Sequence, residues 1–251
     1  MATTKSFQVF DSKIQSMKSV LQLTDLALTK AQKFCMSRKD NDKTVAETLG
    51  GSLDSHSQLN SPNKKKDIQR TFITNCNTVN RQAIVDLYRA FSSYVKNIVR
   101  ELSERDPMKV QSLLIKKEDK NMSYPDIINL GSYEAIIEDM AAKVFRAMER
   151  KQSTPDMLKD IIQITNIEFE GDLLDDALTY LELRHLIIHN DGKADSKFLE
   201  LNKRNIVRVE ESRKKISYNY LLSSIAIEKV YELCKSIDKQ FLDRAILLPN
   251  N

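Results

Sequence analysis

Glycine is scarce: five residues in 251, about 2% against a usual ~7%. Tight hairpin turns and phosphate-cradling loops draw on glycine, because a residue without Cβ takes up left-handed backbone freely. The scarcity argues against many-hairpin β architectures, Gly-rich nucleotide loops, and collagen-like or linker-dominated chains. Cysteine is equally sparse. Cys35, Cys76 and Cys234 are odd in number, far apart and without CxxC spacing, which disfavours a disulfide framework or a zinc ribbon and fits a reducing, cytoplasmic setting. No apolar run approaches the ~18–20 residues of a membrane span. The opening residues also lack the long apolar stretch of a signal peptide. No membrane association is expected.

What is present is ordinary for a globular protein. The chain has 251 residues, 41% hydrophobic and 29% charged. That is enough for one large domain or two small ones at ~150 residues each. The net charge of +4 and a pI near 8.8 permit a polyanionic partner without requiring one.

Between the prolines and glycines the apolar pattern has helical period. Ile84, Leu87, Tyr88, Phe91, Tyr94, Val95, Ile98 and Leu102 recur at steps of three and four, one stripe of a long amphipathic helix. The spacing predicts a helix over about 76–104, ending at Asp106-Pro107. A weaker stripe through Phe10, Ile14, Met17, Leu21 and Leu28 predicts one over about 8–36. Thr154-Pro155-Asp156 combines a capping hydroxyl, a proline at the first helical position and a first-turn acid. Gly131-Ser132-Tyr133-Glu134 opens a helix running to about Arg150. Asp172 to His189 reads as a further helix, stopped by Asn190-Asp191-Gly192. The last helix runs from about Tyr218 to Ala245. Only Ile206-Val207-Arg208-Val209 hints at a strand. The fold class is all-α, an antiparallel helical bundle.

Residues 37–69 differ. From Arg38 to Asp67 the strong apolar residues are only Val45, Leu49, Leu53 and Leu59, and the stretch closes on Ser61-Pro62-Asn63-Lys64-Lys65-Lys66. Such a stretch buries little surface to offset its ordering entropy and reads as a long flexible, polar insertion. The lysine run is either a solvated face or a phosphate contact. The chain thus divides into an N-terminal helix (1–36) belonging to the bundle, the insertion, and a helical domain over 70–251.

The histidines are only three: His56, His185 and His189. His56 lies in the polar insertion. The other two share the stretch Arg184-His185-Leu186-Ile187-Ile188-His189. Four apart, they lie on one helix face, a spacing that can hold a metal, although Leu186 stands where an HExxH zinc site needs glutamate. Arg184 and His189 are five apart, roughly 140° around the helix and ~7.5 Å along it, and both can address one cleft. A second copy across a two-fold axis would add another pair. The apolar neighbours Leu181, Leu183, Leu186, Ile187 and Ile188 equally allow a core histidine or a helix C-terminal cation. Asp172, Asp175, Asp176 and Glu182 form an acidic run; Asp172 and Asp176, on one face, read either as first-turn complements to the helix dipole or as ligands for a divalent ion. Lys203, Arg204, Arg208, Arg213, Lys214 and Lys215 follow the motif and read as an electrostatic guide for RNA or as solvated loop charge.

The stretch from Arg184 to Asp195 resembles the signature of the HEPN superfamily: an arginine, a polar residue, then a histidine after four to six intervening residues. The trailing Asn190-Asp191-Gly192 resembles the RxxxxHN-x-G form of the RiboL-PSP-like branch, and Arg81 to Lys96 is similar to the early helix there. The resemblance covers about residues 70–251. It implies a dimeric, metal-independent endoribonuclease of phage defence, abortive infection or toxin–antitoxin systems, without a cofactor. RNA, a second copy through the RxxxxH helix, and an antitoxin or defence protein are the implied partners. His189 would take the 2′-hydroxyl proton, a task suited to imidazole, whose ordinary pKa is near ~6.5. Arg184 would hold the phosphorane by paired hydrogen bonds. His185 would orient Arg184 or touch phosphate, and Asn190 would position histidine or substrate. Asp191 stands where the toxins paired with nucleotidyltransferases carry a tyrosine, so tyrosine AMPylation is not implied. The alternatives are a catalytically inactive HEPN-type module that binds RNA or a partner protein, and an unrelated helical scaffold in which Arg184 and His189 only pack.

Overall fold

The computed structural model describes residues 2–38, 43–52, 54–60, 64–106, 121–149 and 154–249; of these, the side chains of 144, 145, 147–149 and 154–159 are not described. Among the described residues nine α-helices, one short 3₁₀ turn and a two-residue antiparallel ladder make up the regular structure. The fold is all-α. The helices are α1 (Lys5–Ser37), α2 (Val45–Thr48), α3 (Lys65–Arg105), α4 (Tyr124–Leu130), α5 (Tyr133–Glu149), α6 (Thr154–Thr165), α7 (Leu173–His189), α8 (Ser196–Leu201) and α9 (Tyr220–Asp243). Among the described residues, no helix is long and apolar enough to cross a membrane. All three cysteines are free thiols.

The long helix α3 is the axis of the core, and α1, α5, α7 and α9 pack on it. Its three-four stripe does what the spacing predicts: Ile84, Leu87, Phe91, Tyr94, Val95, Ile98 and Leu102 are all buried, with Tyr88 half-buried. Each such side chain contributes roughly 1.5–3 kcal/mol on leaving water. Phe10 of α1 lies against the ring of Tyr94, centroids 5.1 Å apart, and stacks on Tyr231 of α9 at 6.4 Å. The Tyr94 hydroxyl donates to the Cys234 carbonyl at 3.0 Å. At the start of α1, Thr4 accepts from the Phe7 amide, and its own amide and hydroxyl donate to Asp238 Oδ1 of α9 at 3.1 and 2.6 Å. The cap thus fastens α1 to α9.

Helix α3 begins at Lys65, about three turns before the predicted start. Residues 65–69, grouped with the polar insertion on composition, are its first turn. Ile68 and Phe72 are its sole buried side chains before Asn80, too sparse to show a period. They are held by Cys35 and Val45, with Leu28 and Ala31 alongside, in a small second core. Within the insertion, α2 is closed by a capping box between Thr44 and Glu47, which leaves Val45 and Ala46 buried.

The other boundaries fall near expectation. Gly131, φ +72°, ends α4, and the Ser132 hydroxyl accepts from the Ala135 amide as α5 begins. Helix α6 starts at Thr154 itself; the capping role expected of that hydroxyl, like Pro107 and Arg150, lies outside the described residues. Asn219 caps α9 through the Leu222 amide at 2.9 Å. The strand hint narrows to β1 (Val209–Glu210), paired with β2 (Lys215–Ile216) in the register Val209↔Ile216. Ala194, after α7, donates to the Lys214 carbonyl at 2.8 Å, so this hairpin backs the segment that follows the histidines.

Candidate functional site

Helix α7 is buried along most of its length: Ala177, Leu178, Tyr180, Leu181, Leu183 and Leu186 enter the core. Its apolar face leaves only the last turn and one flank for polar chemistry. Arg184 and His185 are half-buried, whereas Ile188 and His189 are exposed. The His185 and His189 rings lie 4.8 Å apart, tilted by 44°. The Arg184 guanidinium sits over the ring of Tyr88 on α3, 5.1 Å from its centroid, a cation–π contact. The packed-core alternative for His189 is therefore excluded by its exposure. His56 is also exposed, with Nδ1 3.1 Å from the Ser52 carbonyl.

The end of α7 is held by a device that spacing alone did not reveal. Asp191 and Gly192 take consecutive left-handed conformations, φ +50° and +74°, and the Gly192 amide donates to the Leu186 carbonyl at 2.8 Å. Arg81 of α3 reaches across: one guanidinium nitrogen donates to Asp191 Oδ1 at 3.1 Å and another to the Asp191 carbonyl at 2.9 Å. The same guanidinium lies 5.1 Å from the ring centroid of Tyr218, whose hydroxyl donates to the Gly192 carbonyl at 3.2 Å. Burial pushes the Tyr218 phenol up, Arg81 pulling against it and Asp191 adding to it. A Cβ on Gly192 would stand 2.8 Å from both Arg81 and Tyr218. The Asn190 side-chain amide donates to the Lys193 carbonyl at 2.7 Å; here it shapes the loop.

The acids near α7 divide. Asp172 and Asp176 are paired with Arg204 at 2.8 and 3.1 Å, and among the described residues no group of three or more His, Cys, Asp or Glu side chains is placed to hold a metal ion. Arg204 is thereby engaged with α7. Lys203, Arg208, Arg213, Lys214 and Lys215 are exposed. Lys214 and Lys215 lie at the hairpin, Lys214 in a left-handed turn conformation.

Glu182 is the buried member of the run, 9% exposed. Desolvation pushes its carboxyl above the usual carboxylate range, with Asp195 adding to the rise; Lys197, His185 and Arg184 oppose it. The folded chain therefore holds this proton to higher pH than the unfolded chain does. The stability it contributes is full below the ordinary carboxylate range and is lost as pH rises through the raised value. Glu182→Gln removes that part of the slope. Its melting temperature at pH 7 is expected to equal or exceed that of the wild type, measured by thermal scans across pH 4 to 8. A clear fall at neutral pH would contradict the burial argument.

No protein-family model, curated protein or solved structure matches this chain.

Proposed function

We propose that the chain is a metal-independent endoribonuclease of the HEPN type, cleaving RNA by 2′-hydroxyl transesterification. It would serve in phage defence, abortive infection or as a toxin. The observation that carries this reading is the last turn of α7, where an exposed imidazole, His189, sits 4.8 Å from a second imidazole. Arg184 lies five residues back, half-buried on Tyr88.

In this mechanism His189 removes the 2′-hydroxyl proton as the oxygen attacks the adjacent phosphorus. Arg184, permanently cationic and fork-shaped, takes the charge gathering on the phosphorane oxygens. The Tyr88 face fixes its guanidinium plane, which reduces the entropy lost when it grips phosphate. His185 lies beside His189 and orients Arg184 or binds phosphate; the proton taken up by His189 balances the one that the departing 5′-oxygen gains. The 5′-oxygen leaves with a proton, giving a 2′,3′-cyclic phosphate and a 5′-hydroxyl. Lys203, Arg208, Lys214 and Lys215 supply positive potential for the approach of the RNA. Ile188, exposed on the flank beside the histidines, suits contact with a second copy through α7, so that two motifs face one cleft.

Expression in a bacterial host tests the reading as a whole. The wild type is expected to arrest growth and to leave RNA fragments ending in cyclic phosphate, while His189→Ala at equal protein level permits growth. Equal arrest by both would overturn it.

A further inference from the structure

Beside His185 the surface opens into a cleft of about 320 Å³ between α7 and α8. That is the lower end of the range for small-ligand sites. Its floor is apolar: Leu186, Phe198 and Leu201. One polar group is out of keeping with that floor. Glu182 lines the cleft, is 9% exposed, and among the described residues has no hydrogen-bond or ion-pair partner. By contrast Asp195, on the same wall, already accepts the Phe198 amide at 2.8 Å as the cap of α8. The Glu182 oxygens are not sealed from water, since the buried side-chain atoms without a partner among the described residues belong to Asn80, Arg81 and Arg100; they open on the cleft, where a ligand can supply donors.

We propose that this cleft is a guanine-binding subsite, in which Glu182 accepts the two adjacent N–H groups of the base. The proposal rests on the nuclease reading for its substrate, since the cleft adjoins the motif through His185, and it names the base to be read next to the scissile phosphate. Guanine alone among the four bases presents N1–H and N2–H side by side, matching the two oxygens of one carboxylate. Adenine, cytosine and uracil each set a donor next to an acceptor, which one carboxylate cannot match with both oxygens. The flat base lies on the apolar floor. Lys197, which also lines the cleft, can donate to guanine O6. Lys203 at the rim faces the sugar–phosphate side.

The test is a titration of the full chain with GMP, IMP, AMP, CMP and UMP at up to millimolar concentration, read by calorimetry and by the NMR signals of the His185 ring. GMP is expected to bind tighter than AMP, CMP or UMP by roughly tenfold or more, the discrimination of one bidentate pair. IMP, which lacks the 2-amino group, falls between, and Glu182→Gln loses the preference. A second arm uses RNA of one sequence with guanosine or inosine at a single position. Cleavage beside guanosine, weakened by inosine, places the base within the substrate, whereas GMP binding without that effect assigns the cleft to a free nucleotide. No binding of GMP, or equal binding of all the nucleotides, overturns the assignment, and the ranking on the wild type decides this however the variant folds. GMP binding by a chain that cuts no RNA leaves the subsite standing and removes the nuclease. Cleavage without GMP binding does the reverse.

Discussion

His189→Ala is expected to lose RNA cleavage by about 10²- to 10⁴-fold, the usual contribution of a general base, with the fold intact. The ring is exposed, and an exposed substitution away from caps and cores usually changes stability by no more than ~0.5 kcal/mol. The two readouts thus separate the readings. A nuclease loses rate and keeps its melting temperature, whereas a packing role would move melting alone. Arg184→Ala is expected to lose about 10²- to 10³-fold, as when a positioned charge stabiliser is removed. It also removes the cation over Tyr88, so its melting temperature is expected to fall slightly. Single-turnover cleavage of a labelled RNA, paired with thermal scans, measures both effects.

Gly192→Ala has the largest expected effect on stability. The backbone there has φ +74°, which costs an alanine about 1 kcal/mol. The added Cβ would stand 2.8 Å from the end of Arg81 and 2.8 Å from the Tyr218 ring. Arg81 can retreat only by giving up its bonds to Asp191, and Tyr218 is 1% exposed and sealed in the core. The combined loss is about 2–4 kcal/mol, a fall of roughly 5–15 °C in melting temperature for a chain of this size. Below that temperature the variant is expected to cleave poorly, because the loop that ends α7 at His189 has been pushed aside. Arg81→Ala leaves room at Gly192 and is expected to be milder, since its ion pair with Asp191 is largely solvent-screened. A Gly192→Ala protein as stable as the wild type would show that the clamp is slack.

The two long helices were legible because their cores are built from their own spacing. Nearly every apolar residue from Ile84 to Leu102 that keeps the three-four step is buried. The early turns of α3 were not, because Ile68 and Phe72 are buried by Cys35 and Val45, partners that no local window contains. The stop at Asn190-Asp191-Gly192 was legible as a helix end. Its clamp was not: Arg81 and Asp191 are 110 positions apart, and no local window contains both. The members of the acidic run go different ways. Asp172 and Asp176 meet Arg204, while Glu182, in mid-helix, turns under α8 into the cleft. Its burial comes from a helix that follows the loop, and only tertiary structure places it there.

The most direct test of the central claim is the chemistry of the ends. A labelled RNA is incubated in EDTA with the wild type, His189→Ala and Arg184→Ala, and the fragment termini are determined. The wild type alone is expected to give 2′,3′-cyclic phosphate and 5′-hydroxyl ends. Cleavage that survives both substitutions, or that begins only when Mg²⁺ is restored, would contradict the account.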